Sequence, residues 1–464
     1  MRVMRKHLLL AALVGLGLRL FFVWHFPAEP DDTALYEELA RNWADHHVYG
    51  LFSDGQLMPV DLRVPGYPAF LIAIHLVFGR TRLAVMLVQA VLDLATCFLA
   101  AALAARLAPT LERRRVAIAA LWLAATCPFL ANYSAAVLSE VLAIFLTTAA
   151  LVLLGRANQD SRAPWFFAAL LVGLGTLVRP ETPLLLAAVA LVLVIRWRRP
   201  PDWSKLFRTG ALLGVGFVLP LLPWAARNSY SLHRVQFLAP RYVQLSTDFV
   251  PRGFYTWTKT WLVRFRDVYL VPWKLGDEPI RVDDLPAKAF DSAEERARVA
   301  ALLEQYNATL SMTPELDRQF GELARERAGR HPLRTYAWIP LERSATLWFT
   351  PRIELLPYSG RLWPLAQQWE EDPVDFSVTV GFGLLNYLYV ALALAGAWLA
   401  GPQRDPEESQ ARWALALVVA FILVRTAFLT QVETPEPRYV LECFPALLAL
   451  AALAWTRWPH RQQA

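Results

Sequence analysis

The chain has 464 residues, 56% of them hydrophobic, with a mean hydropathy of +0.32 and a formal net charge of +6. Soluble domains do not carry so many near-continuous apolar runs, which are typical of membrane-spanning helices. The basic clusters fall between these runs, as the positive-inside rule describes, which argues against a nucleic-acid partner. Composition therefore predicts a polytopic membrane protein.

The first apolar run, roughly Leu8 to His25, follows the basic start M-R-V-M-R-K-H. These charges predict that the run begins in the cytoplasm and that Glu29 emerges outside. An acidic loop, rather than a small-residue cleavage site, comes next, which favours a retained span over a signal peptide. We therefore expect a multi-pass protein of the cytoplasmic (inner) membrane whose site faces the periplasm or exterior.

The first external loop, residues 27–82, is polar and patterned. Leu35, Leu39 and Trp43 recur every four residues, which predicts an amphipathic helix over 33–45 lying on the membrane surface. Asp32 or Thr33 can cap its start. The run 70–78 is apolar but too short to span, so it predicts a second interfacial segment.

Nine further apolar runs predict, with the first, about ten spans. They are 83–107, 116–130, 138–154, 165–178, 183–195, 212–226, 380–399, 413–429 and 440–455. The expected fold class is all-α, and the expected organisation has three parts. These are an N-terminal transmembrane catalytic module (1–230), an external or periplasmic and interfacial region (231–376) and C-terminal transmembrane helices (377–464).

Two helices are predicted inside the external region. Ser292, with a glutamate three residues later, forms a capping box before one helix, and Thr313-Pro314 starts the other. Each helix carries one apolar face, as in a helical hairpin.

Polar side chains gather where the predicted spans reach the outer face. They are Asp31, Asp32, Arg63, Tyr67, Glu140, Arg179, Glu181, Arg227, Asn228, Glu433, Glu436, Arg438 and Tyr439. A carboxylate can act as a general base, and arginine binds phosphate through paired charge-assisted hydrogen bonds. This combination at one membrane face predicts a site for an anionic, lipid-linked substrate.

Simpler interpretations stand beside these. Asp31 and Asp32 can be helix caps alone, an interpretation with the same weight as catalysis. Arg179 and Arg438 can be interfacial anchors, and Glu140 can be solvated at the end of its span. His46 and His47 are adjacent on a helix and do not face one another, so no metal site is predicted, although a divalent metal requirement stays open.

Several short motifs together resemble a known group of enzymes. They are the Asp32-to-Tyr36 spacing followed by E-E-L-A-R, R-V-P-G-Y-P at 63–68, L-S-E at 138–140, L-V-R-P-E at 177–181, P-W-A-A-R-N at 223–228 and P-R-Y-V at 437–440. The pattern resembles the integral-membrane glycosyltransferases of the GT-C fold, family 39, of the protein-mannosyltransferase and aminoarabinose-transferase kind. The resemblance covers nearly all of 1–230 and 380–464 but not 231–376.

This resemblance implies transfer of a sugar from a polyprenyl-phosphate carrier to a glycan, lipid or protein acceptor on the outer face. By the family pattern, Asp32 is the catalytic base or orients the acceptor hydroxyl, with Asp31 as the alternative, and Glu140 is the second acid. The phosphate-holding arginines match Arg63, Arg179 and Arg438. The remaining candidates for substrate binding are Tyr36, Tyr67, Glu181, Arg227 and Tyr439. The lysines and K-P-P run of aminoarabinose transferases are missing from the first loop, so that donor and acceptor are not implied.

Two other functions compete with sugar transfer. A transporter or flippase of a lipid-linked saccharide should place ionisable residues in the middle of its spans, where Asp93 and Arg425 lie. A non-catalytic assembly partner would not need clustered carboxylates at the outer face.

Overall fold

The computed structural model describes residues 2–157, 161–196, 203–240, 249–400 and 409–457, and it is mostly helical. The chain divides into two compact units. Unit 1 comprises residues 1–243, 351–424 and 441–464, and unit 2 comprises residues 244–350 and 425–440.

Six helical segments are long and apolar enough to cross a membrane, or seven if one bent pair counts as a span, within the described residues. These helices are α1 (Arg2–His25), α4 (Arg82–Leu107), α10 (Trp203–Val218) continuing through a 3-10 turn into α11 (Leu222–Leu232), α18 (Pro373–Ala400), α19 (Ser409–Leu429) and α20 (Phe444–Arg457). Three shorter apolar helices coincide with the other predicted spans: α7 (Glu140–Leu154), α8 (Ala163–Thr176) and α9 (Leu184–Arg196). The chain is a multi-pass membrane protein, and each predicted span falls on a helix.

One predicted span, 116–130, is broken. Helix α5 (Arg113–Ala125) is followed by α6 (Pro128–Ala131) and a 3-10 turn (Asn132–Ala135), with a bend of 52°. Proline cannot donate to the helix ladder, and its ring excludes the preceding turn, so the bend falls at Pro128. The break places the 3-10 turn 132–135 beside α1 and α4 instead of extending the helix.

The first loop contains more structure than the sequence predicted. Helix α2 (Asp31–His46) leads into a hairpin of β1 (Gly50–Ser53) and β2 (Gln56–Pro59), and α3 (Gly66–Phe78) follows. The hairpin turns at Asp54-Gly55, both with positive φ, which is the Asp-Gly signal of a tight two-residue turn.

The predicted stripe on α2 is present but does not face a membrane. Leu39 is buried in a cluster with Tyr49, Val60, Leu62 and Trp224, and Leu35 and Trp43 pack against that cluster. The expectation that this stripe lays the helix on the membrane surface is therefore wrong, because the hairpin and α11 cover it.

Unit 2 is built on helices packed around aromatic side chains. Its helices are α12 (Arg252–Lys259), α13 (Phe265–Leu270), α14 (Ala293–Thr309), α15 (Pro314–Arg330) and α16 (Ile339–Phe349). Ser292 and Thr313 cap α14 and α15 as predicted, each accepting a backbone N–H at 3.2 Å. Glu295 does not complete the capping box, because Arg327 and Arg330 bind its carboxylate. Elsewhere in the chain, α17 (Leu365–Glu371) precedes α18.

Candidate active site

Asp32 and Arg63 form an ion pair at the start of α2. The Asp32 Oδ1 atom accepts a hydrogen bond from Arg63 Nη2 at 2.7 Å, and each side chain is 24% exposed. Helix α2 begins at Asp31, with Pro30 at the N-cap and no side-chain cap. Neither aspartate is therefore the N-cap, which weakens the purely structural interpretation. Asp31 is exposed.

Gly66 fixes the position of the loop that carries Arg63. Its backbone N–H donates to the carbonyl oxygen of Leu177 at 2.6 Å. A Cβ atom at this position would lie 2.5 Å from that oxygen, so no larger residue fits without a shift. The R-V-P-G-Y-P and L-V-R-P-E motifs are thus held against each other.

A second cluster places three carboxylates around one guanidinium. Arg179 Nη1 lies 2.8 Å from Glu140 Oε1, and its Nε lies 2.8 Å from Glu181 Oε1 and 3.4 Å from Glu442 Oε1. Glu140 and Glu442 are each 3% exposed. Thr147 Oγ1 donates to Glu442 Oε2 at 3.2 Å and helps to orient it. Within the described ranges, no group of three or more His, Cys, Asp or Glu side chains is arranged to hold a metal ion.

Tyr36 is buried near charged groups of both clusters. Burial raises the pKa of its hydroxyl, and the charges that also act on it are those of Arg63, Asp32, Glu140 and Arg179. The phenol therefore stays neutral at physiological pH and can serve as a hydrogen-bond donor. The structure brings both ion pairs within electrostatic reach of one buried hydroxyl.

Tyr67, the other tyrosine predicted in the first loop, packs against Tyr36. The rings of Tyr67 and Tyr36 meet edge to face, 4.9 Å apart. The Tyr67 hydroxyl donates to Gln89 Oε1 at 2.8 Å, and Gln89 Nε2 donates to the Ala136 carbonyl at 2.7 Å. This chain of contacts links α3 to α4 and to the turn that precedes Glu140.

The guanidinium of Arg227 is hydrogen-bonded to backbone carbonyl oxygens. It donates to the carbonyl oxygens of Val60, at 2.8 Å, and of Tyr49, and its guanidinium lies over the Tyr49 and Trp224 rings. These contacts tie α11 to the hairpin strands. Substrate binding by Arg227 stays a prediction.

Arg438 and Tyr439 belong to unit 2. Both side chains contact Glu436, with the Tyr439 hydroxyl donating to Glu436 Oε1 at 2.8 Å. The Arg438 guanidinium also lies over the Tyr439 ring. Their role in substrate binding likewise stays a prediction.

Sequence reasoning missed Glu442 and Gln89. Both lie inside apolar runs that the sequence assigns to spans, where polar side chains are counted as exceptions rather than as site residues. An ionisable residue inside such a run is itself a signal of function or of a buried partner, and it would have indicated Glu442.

Two of the comparisons with known proteins found proteins similar to this chain. Residues 63–224 match the family described as dolichyl-phosphate-mannose-protein mannosyltransferase. No curated protein sequence matches the chain.

Two solved structures of the Archaeoglobus fulgidus oligosaccharyltransferase share the fold. The complex with Zn and sulfate has a TM-score of 0.51 and 14% identity, covering 98% of this chain and 50% of that chain. The AglB complex with an inhibitory peptide and a dolichol-phosphate has a TM-score of 0.51 and 12% identity, covering 99% of this chain and 51% of that chain. The chain thus spans about half the length of these archaeal proteins.

ArnT from Cupriavidus metallidurans, in the apo state, overlaps more weakly. Its TM-score is 0.41 at 13% identity, covering 98% of this chain and 80% of that chain, which is too low to argue a common fold. The family match and the archaeal structures together confirm the resemblance to GT-C glycosyltransferases that the sequence motifs predicted.

Proposed function

We propose that this protein, whose fold is that of the GT-C glycosyltransferases, moves a sugar from a polyprenyl-phosphate-linked donor to an acceptor at the outer face of the cytoplasmic membrane. The observation that carries the proposal is that two carboxylate–arginine ion pairs, Asp32–Arg63 and Glu140–Arg179, lie near the buried Tyr36, which packs in one cluster with Val178. The match of residues 63–224 to a lipid-phosphate-sugar-dependent family supports the same class of donor.

Asp32 is the catalytic base of the proposed reaction. It takes the proton from the acceptor hydroxyl while that oxygen bonds to the anomeric carbon of the sugar. The bond between that carbon and the phosphate oxygen breaks, and the phosphate leaves with the electron pair. Direct attack inverts the anomeric carbon. Asp32 suits this role because its side chain is partly exposed and so can meet an acceptor.

The surroundings of the two arginines support different roles for them in the proposed reaction. Three carboxylates surround Arg179, and their charge repels a phosphate at that position. Arg63 faces Asp32 and can form charge-assisted bonds to the departing phosphate. We therefore place the donor phosphate at Arg63 and the sugar hydroxyls, which donate to carboxylates, at Glu140 and its neighbours.

A transporter of lipid-linked saccharides is the alternative. The two mid-span residues that favoured it are held by the scaffold: Asp93 pairs with Arg19, and Arg425 donates to the Tyr439 carbonyl at 3.0 Å. Because both residues serve structural contacts, the structure supports a transporter less than it supports a glycosyltransferase.

The test is a reaction of the purified protein with a synthetic polyprenyl-phosphate sugar and a panel of glycan, lipid and peptide acceptors. Mass spectrometry should find the glycosylated acceptor and free polyprenyl phosphate in equal amounts. In parallel, vesicles with the donor in one leaflet report flipping. Movement of intact donor across the bilayer, with no sugar transferred to any acceptor, would contradict the proposal and favour the transporter.

A further inference from the structure

A groove between α2 and α3 lies apart from the ion pairs described above. Its volume is about 300 Å³. One face of α2 and one face of α3 form its walls, and the turn before α4 closes one end. Its lining includes Glu37, Arg41, Ala44, His75, Arg80 and Arg82.

The groove is lined by apolar side chains and by three arginines, two of which are paired with carboxylates. Arg82 donates two hydrogen bonds, of 2.8 and 2.9 Å, to Glu37, the one carboxylate that lines the groove. Arg82 also pairs with Glu29, and Arg80 pairs with Asp45. These pairs neutralise the neighbouring acids, so that they do not repel an anion as free carboxylates would.

Arg41 is the cation that the protein leaves available. It is exposed, and no hydrogen bond or ion pair of its side chain is found among the described residues; its charge acts on Asp45, a carboxylate that Arg80 already binds. His75 lies across the groove, half-buried, and burial followed by the charge of Arg80 lowers its pKa. A neutral imidazole can donate one hydrogen bond without adding charge.

Exposed apolar side chains continue from the groove onto the neighbouring surface. Leu76, Val77 and Phe78 at the end of α3 are between 63 and 80% exposed. Leu83, Leu87 and Val91 follow as an exposed stripe with a spacing of four residues along α4, which is long and apolar enough to span a membrane. The groove therefore lies where a span begins, at the depth of phospholipid headgroups.

We propose that this groove binds the phosphate of a glycerophospholipid. Arg41 would donate hydrogen bonds to the phosphate, and the acyl chains would lie along the exposed stripe of α4. A bound lipid would bridge the second half of α2, whose first turn carries Asp32, to α3 and α4. Such a lipid is distinct from the sugar donor, and its binding does not depend on sugar transfer.

Native mass spectrometry of the delipidated protein tests this proposal without any donor. The probes are dioctanoyl phosphatidylglycerol, dioctanoylglycerol and inorganic phosphate. We expect retention of the phospholipid, with affinity about tenfold lower in Arg41→Gln, as loss of one hydrogen bond to a charged group predicts. Ala44→Phe, which fills the groove and keeps Arg41, should lower it as well. Arg114→Gln removes an exposed arginine elsewhere in the same unit and should leave binding unchanged.

Four results would overturn the proposal, the last of them from a competition of the bound phospholipid with added polyprenyl phosphate. Equal retention of dioctanoylglycerol would show that the phosphate is not recognised. Binding of inorganic phosphate as tight as that of the phospholipid, unaffected by Ala44→Phe, would indicate a simple anion site. An equal loss in Arg114→Gln, or displacement of the lipid by polyprenyl phosphate, would assign the effect to general charge or to the donor site.

Discussion

Two ion pairs of unit 1 have the same length and different surroundings. Arg19 and Asp93 join α1 to α4 at 2.7 Å, with side chains 0% and 1% exposed. Asp32 and Arg63 join α2 to the loop before α3, also at 2.7 Å, but each is 24% exposed. The first contact is closed to any ligand, and the second is open to one.

The other contacts of Arg19 explain why the first pair is scaffold. Its Nη1 atom donates to the carbonyl oxygens of Gly15, at 2.8 Å, and Ala125, at 3.0 Å. Ala125 ends α5 at the break in the span, where the final carbonyls have lost their helical donors. Because hydrocarbon offers no replacement, a buried guanidinium satisfies them and Asp93 balances its charge. An ion pair alone therefore does not distinguish a structural contact from a candidate site. The solvent exposure of the two side chains and the other hydrogen bonds that they make do distinguish them.

The largest effect on stability should come from breaking the buried pair. Arg19→Leu leaves Asp93 unpaired and the Ala125 carbonyl without this donor, and should cost about 3–5 kcal/mol of unfolding free energy. Denaturant unfolding in detergent measures it. The double variant Arg19→Leu/Asp93→Leu should regain the part of the unfolding free energy that is lost to the unpaired charge. It should not regain the part that comes from the hydrogen bonds to the carbonyl oxygens. Full recovery in the double variant would show that Arg19 acts only as a counterion.

The two arginines of the candidate site should behave differently from one another. Arg63→Gln should raise the KM for the lipid-phosphate donor about tenfold to a hundredfold, because it removes a charge-assisted bond at an accessible position. Arg179→Gln should mainly lower stability, since it leaves Glu140 and Glu442 buried without their cation. Steady-state kinetics and thermal unfolding of both variants separate these outcomes. The assignment of the phosphate to Arg63 fails if the KM effect belongs to Arg179 instead.

The loop that carries Arg63 should be sensitive to its glycine. Gly66→Ala places a methyl group against the Leu177 carbonyl and should cost about 1–3 kcal/mol of stability. Gly17→Ala is the matched control, because a Cβ atom there meets nothing within 4 Å. Equal stability of the two variants would mean that the loop moves freely away from Leu177.

The smallest effect is expected for an exposed pair far from any proposed chemistry. Arg298 and Glu326 lie 2.9 Å apart in unit 2, with side chains 40% and 50% exposed. Arg298→Ala should change the unfolding free energy by less than about 1 kcal/mol, because water screens the pair. A larger loss in a denaturant titration would show that exposure is a poor guide to the role of an ion pair in this protein.

Periodicity and capping made much of the helical scaffold predictable from the sequence. The apolar runs located every span, and Ser292 and Thr313 marked the starts of α14 and α15. Asp32 and Arg63 were selected as candidates from short motifs, and the structure places them in contact. These features are local, so nearby residues suffice to predict them.

Features that depend on distant partners were harder to predict. The stripe on α2 is amphipathic in either environment, and only the packing of Trp224 shows that it faces protein. Arg19 and Glu442 look like interruptions of apolar runs until their partners from other helices are known. The break at Pro128 was missed because proline also occurs within continuous spans.

Turnover of Asp32→Asn beside Asp31→Asn tests the central claim most directly. Both variants remove one carboxylate from the first turn of α2, and only Asp32 pairs with Arg63 among the described contacts. Asp32→Asn should lower kcat for sugar transfer by about 10²–10⁴-fold with little change in melting temperature, since it removes the general base. Asp31→Asn should keep the wild-type rate. Wild-type turnover in Asp32→Asn would contradict the account.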